Sequence, residues 1–322
     1  MDVIFVAVGL ALLFIAGEAT LRGAIGLAKK LGVSPAVIGL TVIGFGTSAP
    51  ELVVTVQAAL LGQSDLAIGN VVGSNISNLL LILGFGAVIW PLTCDAGAAK
   101  RDAGMMVATG LLLVGLGMTG EIVRWQGVLM LAALFALLIW SYLEDRKQQK
   151  KNGDDTHAKE VEEVGSVPEN PWVIAALTIF GIAGLVAGAD LLVTGAVGIA
   201  TDFGVPESII GLTLVALGTS LPELAATIVA AMRKHTDVAI ANVMGSCVFN
   251  VLSILGITAI VRPLTIAPDI QSIDLWVMLA ASLLVMVVLL RASRIGRLAG
   301  WVLLVAYVTY IASMTQRIPG LA

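Results

Sequence analysis

The sequence predicts an all-α, polytopic membrane protein with ten transmembrane helices arranged as two inverted five-helix repeats. Three observations carry this prediction. The chain is 58% hydrophobic and only 12% charged, which is far more apolar than a soluble protein of 322 residues. Its apolar runs have the length that an α-helix needs to cross a bilayer. Finally, residues 38–84 return as residues 210–256, with 25 identities in 47 positions and no gap.

The ten apolar runs are taken in order along the chain. They lie at about 3–27, 36–61, 67–90, 103–119, 123–143, 172–199, 207–232, 238–261, 273–290 and 298–316. Membrane β-strands are shorter and alternate between apolar and polar residues, and the sequence lacks that alternation. The first run follows no basic segment and precedes no small-residue cleavage site, so we expect a retained helix.

The loops predict how the chain crosses the membrane. Of the 18 basic residues, 14 fall in the loops after the first, third, fifth, seventh and ninth runs. The positive-inside rule assigns these loops to the cytoplasm and both termini to the outside of a plasma (inner) membrane. Five helices per repeat is an odd number, so the second repeat enters the membrane inverted. We expect a first repeat at 1–143, a polar cytoplasmic linker at 144–171 and a second repeat at 172–322.

Each copy of the duplicated block places one glutamate inside an apolar run. Glu51 follows the sequence GTSAP, and Glu223 follows GTSLP. A charge at the centre of a membrane helix costs about 2.5–3.5 kcal/mol on insertion scales, so each carboxylate needs a compensated, interior setting. Pro50 and Pro222 remove a backbone donor beside them and should break each helix locally. A duplicated carboxylate behind a duplicated break indicates a cation site.

Further oxygen atoms accompany the two carboxylates. The local breaks leave carbonyl oxygens, and the flanking side chains add hydroxyl oxygens; the candidates are Gly44, Ala216, Thr47, Ser48, Thr219 and Ser220. No histidine or cysteine belongs to this set. Hard cations such as Ca²⁺ and Na⁺ prefer oxygen ligands, whereas Zn²⁺ and Cu⁺ prefer nitrogen or sulfur. The candidate site is therefore one for hard cations.

A second duplicated block adds four polar residues. Ser74 and Asn78 lie four residues apart on one predicted helix, and Ser246 and Asn250 repeat the spacing on another. These side chains either complete the cation site or form hydrogen bonds between helices, as Ser and Asn often do in membrane bundles. Next to the duplicated glutamates, the sequence favours coordination.

Two more acidic residues, Glu18 and Asp190, align between the repeats. They either line an access path or are satisfied structural carboxylates, and the sequence does not assign them as ligands.

The paired GTSxPE and GSxxxN motifs resemble the α-repeats of the cation/calcium antiporters, specifically the prokaryotic sodium/calcium exchangers, over essentially the whole chain. The resemblance implies ten helices, alternating access without ATP, and transported Ca²⁺ and Na⁺ with no cofactor. It implies that Glu51 and Glu223 are the carboxylates shared by Ca²⁺ and Na⁺. The hydroxyl and amide residues named above would then fill the flanking Na⁺ sites.

Asn250 bears on the choice of coupling ion, because potassium-dependent relatives and some prokaryotic exchangers have Asp at that position. Asn at both 78 and 250 is more similar to the potassium-independent type. Coupling to H⁺ or K⁺, or transport of another divalent cation, remains the alternative. A cation channel is the competing class.

The sequence has no hydrolase motif and no histidine within an apolar run, so no enzyme activity is expected. The expected surroundings are the lipid bilayer, with no nucleic acid and no obligatory protein partner.

Overall fold

The structure is a computed structural model that describes residues 1–152, 168–203 and 216–315. This part of the chain is almost entirely helical. The helices of the first half are α1 (Asp2–Leu31), α2 (Pro35–Ile38), α3 (Gly44–Thr47), α4 (Ala49–Leu60), α5 (Ser64–Ile76), α6 (Leu83–Ile89), α7 (Ala96–Gly117) and α8 (Arg124–Asn152). Wider π-helical turns at Gly39–Ile43 and Ser77–Ile82 join α2 to α3 and α5 to α6.

The second half repeats this pattern. Its helices are α9 (Pro171–Asp202), α10 (Ala216–Gly218), α11 (Leu221–Met232), α12 (Thr236–Phe249), α13 (Gly256–Val261), α14 (Leu275–Ala292) and α15 (Arg297–Thr315). π-Helical turns at Asn250–Leu255 and Ile270–Asp274 follow α12 and precede α14. The expected linker at 144–171 is partly helical, because α8 continues to Asn152. The remainder of that segment to 167 lies outside the described residues.

Local sequence explains several helix ends. The Asp95 side chain accepts hydrogen bonds from the backbone N–H groups of Gly97 and Ala98, which caps the start of α7. Asn170 caps α9 in the same way, and Pro171 occupies the first turn, where its missing N–H costs nothing. Gly32 ends α1 with a left-handed φ of 62°, the conformation that glycine adopts most readily.

Seven helices among the described residues are long and apolar enough to cross a membrane. The count becomes eight when Pro35–Thr47 and Ala49–Leu60, which are bent by 44°, form one broken span. α7 is not among these seven, and α11 is a shorter apolar helix. The first part of the expected run at 207–232 lies outside the described residues. Ten spans therefore stay a prediction, while the all-helical membrane architecture is clear.

Short strands tie the two halves together. β1 (Leu92–Thr93) pairs antiparallel with β4 (Arg294–Ile295), and β2 (Glu121–Ile122) pairs with β3 (Leu264–Thr265). Each pair joins a loop of the first half to a loop of the second half. The loops that pair are those expected on the same side of the membrane, so the pairing is consistent with the predicted topology.

A buried ionic cluster ties three further segments together. Asp145, near the end of α8, accepts hydrogen bonds from both the backbone N–H and the hydroxyl of Ser34, at 2.8 and 2.7 Å. Arg101 Nε lies 2.6 Å from Asp102 Oδ1, and its Nη1 lies 3.9 Å from Asp145 Oδ1. Because buried charges are retained only when they are paired, these contacts hold the α1–α2 turn against α7 and α8.

Close backbone contact fixes how the halves cross. A Cβ atom on Gly245 of α12 would collide with the carbonyl of Leu40, in the π-helical turn between α2 and α3. A Cβ atom on Gly44 would lie 3.1 Å from the backbone nitrogen of Ser246. The broken helix of the first half thus lies directly against α12 of the second half, and this crossing places their polar residues side by side.

We expect Gly245→Ala to destabilise the protein, because its methyl group would meet backbone atoms that cannot move aside. Overpacking of this kind costs about 1–3 kcal/mol. Gly104→Ala is the matched control, because a Cβ atom there meets nothing within 4 Å. The thermal unfolding midpoint in detergent should fall for Gly245→Ala and stay level or rise for Gly104→Ala. Equal midpoints would contradict the close crossing.

Candidate cation-binding site

The two glutamates that the sequence singled out are completely enclosed. Glu51 is 1% exposed and Glu223 is 0% exposed. Glu51 lies in the first turn of α4, just after the bend, and Glu223 lies in the first turn of α11. The start of a helix carries partial positive charge from its unpaired N–H groups, which favours a carboxylate there. The proline breaks therefore create the setting that compensates each buried charge.

Each carboxylate is held by a serine from the opposite half of the chain. The Ser48 hydroxyl donates to Glu223 Oε1 at 2.9 Å, and the Ser220 hydroxyl donates to Glu51 Oε1 at 3.2 Å. Each serine immediately precedes the helix that carries the glutamate of its own half. The two broken helices therefore meet at their breaks, and the two carboxylates face the same buried region.

Several acceptor oxygens in this region have no donor. Among the described residues, the other oxygen of each carboxylate and the side-chain oxygens of both predicted asparagines are buried without a hydrogen-bond partner: Glu51 Oε2, Glu223 Oε2, Asn78 Oδ1 and Asn250 Oδ1. A buried acceptor left unpaired costs about 1–3 kcal/mol, and more when it is charged. Four such atoms in two matched pairs indicate a site whose natural partner is a cation.

Other predicted ligands gather around Glu223. Ser246 Oγ lies 3.4 Å from Glu223 Oε1 and also 3.4 Å from the carbonyl of Gly44. Thr47 Oγ1 lies 3.5 Å from Ser246 Oγ and donates to the carbonyl of Ile43 at 3.1 Å. The structure thus places Ser246 against the Glu223 carboxylate, with Gly44 and Thr47 in contact with Ser246.

The equivalent residues around Glu51 are arranged more loosely. The Thr219 hydroxyl interacts with that carboxylate but makes no hydrogen bond of standard geometry within the described part of the chain. Ser74 is buried. The Ser220 N–H donates to the carbonyl of Leu217 at 3.1 Å and so departs from the regular helical partner, the carbonyl of Ala216. A shifted hydrogen bond of this kind agrees with a carbonyl freed at the break.

Sequence reasoning missed a pair of supporting asparagines. Asn70 Nδ2 donates to Thr55 Oγ1 at 2.9 Å and to the backbone carbonyl of the glutamate in its half at 3.4 Å. Asn242 makes the matching bonds in the other half, to Thr227 Oγ1 at 3.1 Å and to the glutamate carbonyl at 3.5 Å. Asn70 and Asn242 align with each other in the duplicated block, and this identity could have marked them as candidate site residues. Each asparagine thus binds both a threonine side chain and the glutamate carbonyl of the helix that carries the glutamate in its own half.

The aligned acidic residues Glu18 and Asp190 differ from each other. Glu18 pairs with Arg22 at 2.9 Å and with Arg233 at 2.7 Å, so it links α1 to the end of α11. Asp190 is exposed. The structure gives Glu18 the role of a satisfied structural carboxylate and brings neither residue into the set around Glu51 and Glu223.

The fold and these contacts together define a polytopic membrane protein with a buried, oxygen-lined candidate site for a cation. Within the described ranges, no group of three or more His, Cys, Asp or Glu side chains could hold a metal ion. A cation here would therefore rely on two carboxylates supplemented by neutral oxygens, the ligand set that suits Ca²⁺ and Na⁺ and not a transition metal.

Comparison with known proteins identifies the family. The family model described as "Sodium/calcium exchanger protein" matches residues 1–143 and 173–316, and the chain belongs to this family. It is 36% identical to the putative antiporter CaxA of Alkalimonas amylolytica, over 95% of this chain and 96% of that protein. It is 31% identical to the sodium/calcium exchanger MaX1 of Methanosarcina acetivorans, over 97% of both chains.

A solved structure of the sodium-calcium exchanger NCX_Mj has the same fold. It superimposes with a TM-score of 0.82 at 30% identity, covering 97% of this chain and 98% of that one. The expected family resemblance is confirmed, and with it the class of membrane antiporters. The relatives named here are described as an antiporter and as sodium/calcium exchangers.

The reciprocal serine contacts allow a paired test. Ser48→Ala and Ser220→Ala each remove one donor to a buried carboxylate, and a hydrogen bond to a charged group contributes about 1.5–3 kcal/mol. We expect each variant to lose cation-dependent thermal stabilisation to a similar degree, because the two contacts are equivalent. Ser272→Ala is the control, since this serine is exposed and bonds only a nearby carbonyl. An effect in one variant alone would contradict the equivalence of the two contacts.

Proposed function

We propose that this protein exchanges Ca²⁺ for Na⁺ across the membrane by alternating access, with Glu51 and Glu223 binding both cations near the midplane. The observation that carries the proposal is the reciprocal arrangement of the carboxylates. Each is held through one oxygen by a serine of the opposite half, and each keeps its second oxygen unpartnered among the described residues. Family membership and the likeness to NCX_Mj support the choice of Ca²⁺ and Na⁺.

Charge explains why such a site would exchange ions and not leak them. Two ionised carboxylates balance one Ca²⁺, so a loaded site is nearly neutral and can pass a low-dielectric barrier. The empty site carries two buried negative charges, and a bare charge inside a membrane is costly. The empty protein should therefore change its exposure slowly. Each outward step with one cation must then be followed by an inward step with another.

The geometry also supports movement of the two halves against each other. In inverted-repeat transporters the site lies between the repeats, and one bundle rocks against the other. Here each carboxylate is bonded to the opposite half, so a relative shift changes both serine contacts together. We propose repeats at 1–143 and 172–322, joined by a cytoplasmic segment at 144–171, with both termini outside an inner membrane. In this proposal the predicted hydroxyl and amide ligands fill the flanking Na⁺ positions; these are Thr47, Ser48, Thr219, Ser220, Ser74, Asn78, Ser246 and Asn250. The proposal needs no cofactor and no obligatory protein partner.

The first test removes one charge at a time. Glu51→Gln and Glu223→Gln keep the size of each side chain but leave a single carboxylate, so a bound Ca²⁺ would stay uncompensated. We expect Na⁺-dependent ⁴⁵Ca uptake into proteoliposomes to fall to background in both variants. Glu121→Gln, at an exposed loop strand, is the matched control and should retain uptake. Exchange at the unmodified rate in either site variant would overturn the assignment.

The second test identifies the coupling ion. Reconstituted protein receives Na⁺, K⁺ and pH gradients separately, and Ca²⁺ movement against its own gradient is measured. We expect only the Na⁺ gradient to drive it, because the asparagines at 78 and 250 favour potassium-independent coupling. If a K⁺ or H⁺ gradient drives Ca²⁺ movement, that ion and not Na⁺ is the coupling ion. If no gradient drives it, the transported substrate is another divalent cation. Downhill Ca²⁺ flow without countertransport would indicate a channel.

A further inference from the structure

A buried amide pair joins the two halves one helical turn beyond Ser246, which contacts Glu223. Asn250 Nδ2 donates to Asn75 Oδ1 at 3.0 Å, and the two residues are 0% and 3% exposed. Asn75 Nδ2 lies 3.4 Å from the carbonyl of Cys247 and 3.6 Å from Met278 Sδ. Both ends of the Asn75 amide are therefore in use, which fixes its orientation.

This contact decides which end of Asn250 faces the site. An asparagine amide has an acceptor oxygen and a donor NH₂ group, and the hydrogen-bond network determines which way each points. Because Asn75 takes the NH₂ group, the opposite end of Asn250 is the oxygen. That oxygen is buried without a partner among the described residues. If the amide were turned over, it would present N–H groups, which repel a cation.

The other half of the chain has a related arrangement. Cys247 occupies the position that aligns with Asn75 at the constant offset of the duplication, and Asn78 aligns with Asn250. The Asn78 side chain interacts with the Cys247 thiol, and Asn78 Oδ1 is likewise buried without a partner in the described part of the chain. Each site asparagine is thus contacted by the residue three positions before its counterpart in the opposite half.

We propose that Asn75 is a positioning residue that fixes the Asn250 amide with its oxygen toward the cation. This inference rests on the proposed function, because it assigns a role within the same cation site. A thiol sulfur is a weaker hydrogen-bond acceptor than an amide oxygen. The residue that aligns with Asn75 is Cys247, so the two asparagine positions differ in the side chain that supports them.

The test replaces Asn75 by Leu, which has a similar size but no acceptor. Loss of a residue that orients a metal ligand typically costs 10–100-fold in affinity. We expect Asn75→Leu to weaken Na⁺ binding to the purified protein, in which Asn250 takes part, by about 10-fold or more, and Ca²⁺ binding by less. Binding is measured with ⁴⁵Ca and by thermal shift in CaCl₂ or NaCl.

The same substitution in an Asn250→Asp background separates orientation from packing. A carboxylate has two acceptor oxygens and no wrong end to present. We expect Asn75→Leu to have little further effect on affinity in that background, relative to Asn250→Asp alone. An equal loss in both backgrounds would show that Asn75 acts only by packing and would overturn the inference, as would unchanged affinity in the single variant.

Two controls keep the result decisive. The thermal midpoint without Ca²⁺ or Na⁺ reports folding, and if Asn75→Leu does not fold, Asn75→Cys places there the residue that the other half already uses. We expect Asn75→Cys to lower the binding affinity, though by less than a variant without any acceptor. If Asn75→Cys lowers the cation-free thermal midpoint but leaves the binding affinity unchanged, the inference is wrong. Because binding is measured without transport, wild-type protein that binds Ca²⁺ but does not exchange it for Na⁺ would refute the proposed function alone. Wild-type protein that binds neither cation would refute both.

Discussion

The exchange of serine contacts between the halves is the interaction on which the site depends. A membrane interior supplies no water to a carboxylate, so each glutamate must be compensated by the protein itself. The helix that carries the glutamate contributes its N-terminal partial charge, and the opposite half contributes one hydroxyl donor. Neither half can complete this compensation alone. The fold must therefore keep the two broken helices in contact at their breaks.

The surrounding architecture serves that contact. Proline lies in the first turn of α4 and of α11, where it separates the new helix from the preceding one and leaves the glutamate near the N-terminal end of its helix. Gly44 and Gly245 let the first broken helix lie against α12 at backbone distance, so that Ser246 reaches both a carbonyl and a carboxylate of the cluster. Asn70 and Asn242 then hold each glutamate helix through its backbone.

Much of the site could be predicted from the sequence, because duplication repeats what the chemistry needs. The two glutamates and Ser48, Ser220 and Ser246 lie together as the matched motifs suggested. The contribution of Asn75 could not be predicted, because the aligned residue in the second repeat is Cys247 and the comparison of the two repeats therefore does not single out this position. Strands of two residues leave no periodic signal, and the π-helical turns do not change the hydropathy. The beginning of α8 reads as apolar, whereas its polar extension to Asn152 contains Asp145, whose bond to Ser34 no pattern in the sequence announces.

The pairing of loops and side chains across the halves has a consequence for biosynthesis. Asn75 and Asn250 are 175 residues apart in the chain. A ribosome adds about 5–20 residues per second, so the first half waits roughly 10–35 s for its partners. During that time Glu51 lacks Ser220, and β1 and β2 have no strands to pair with. Insertion of the helices and assembly of the proposed ion site are therefore separate events, and a nascent chain that stops midway leaves Glu51 without its Ser220 donor.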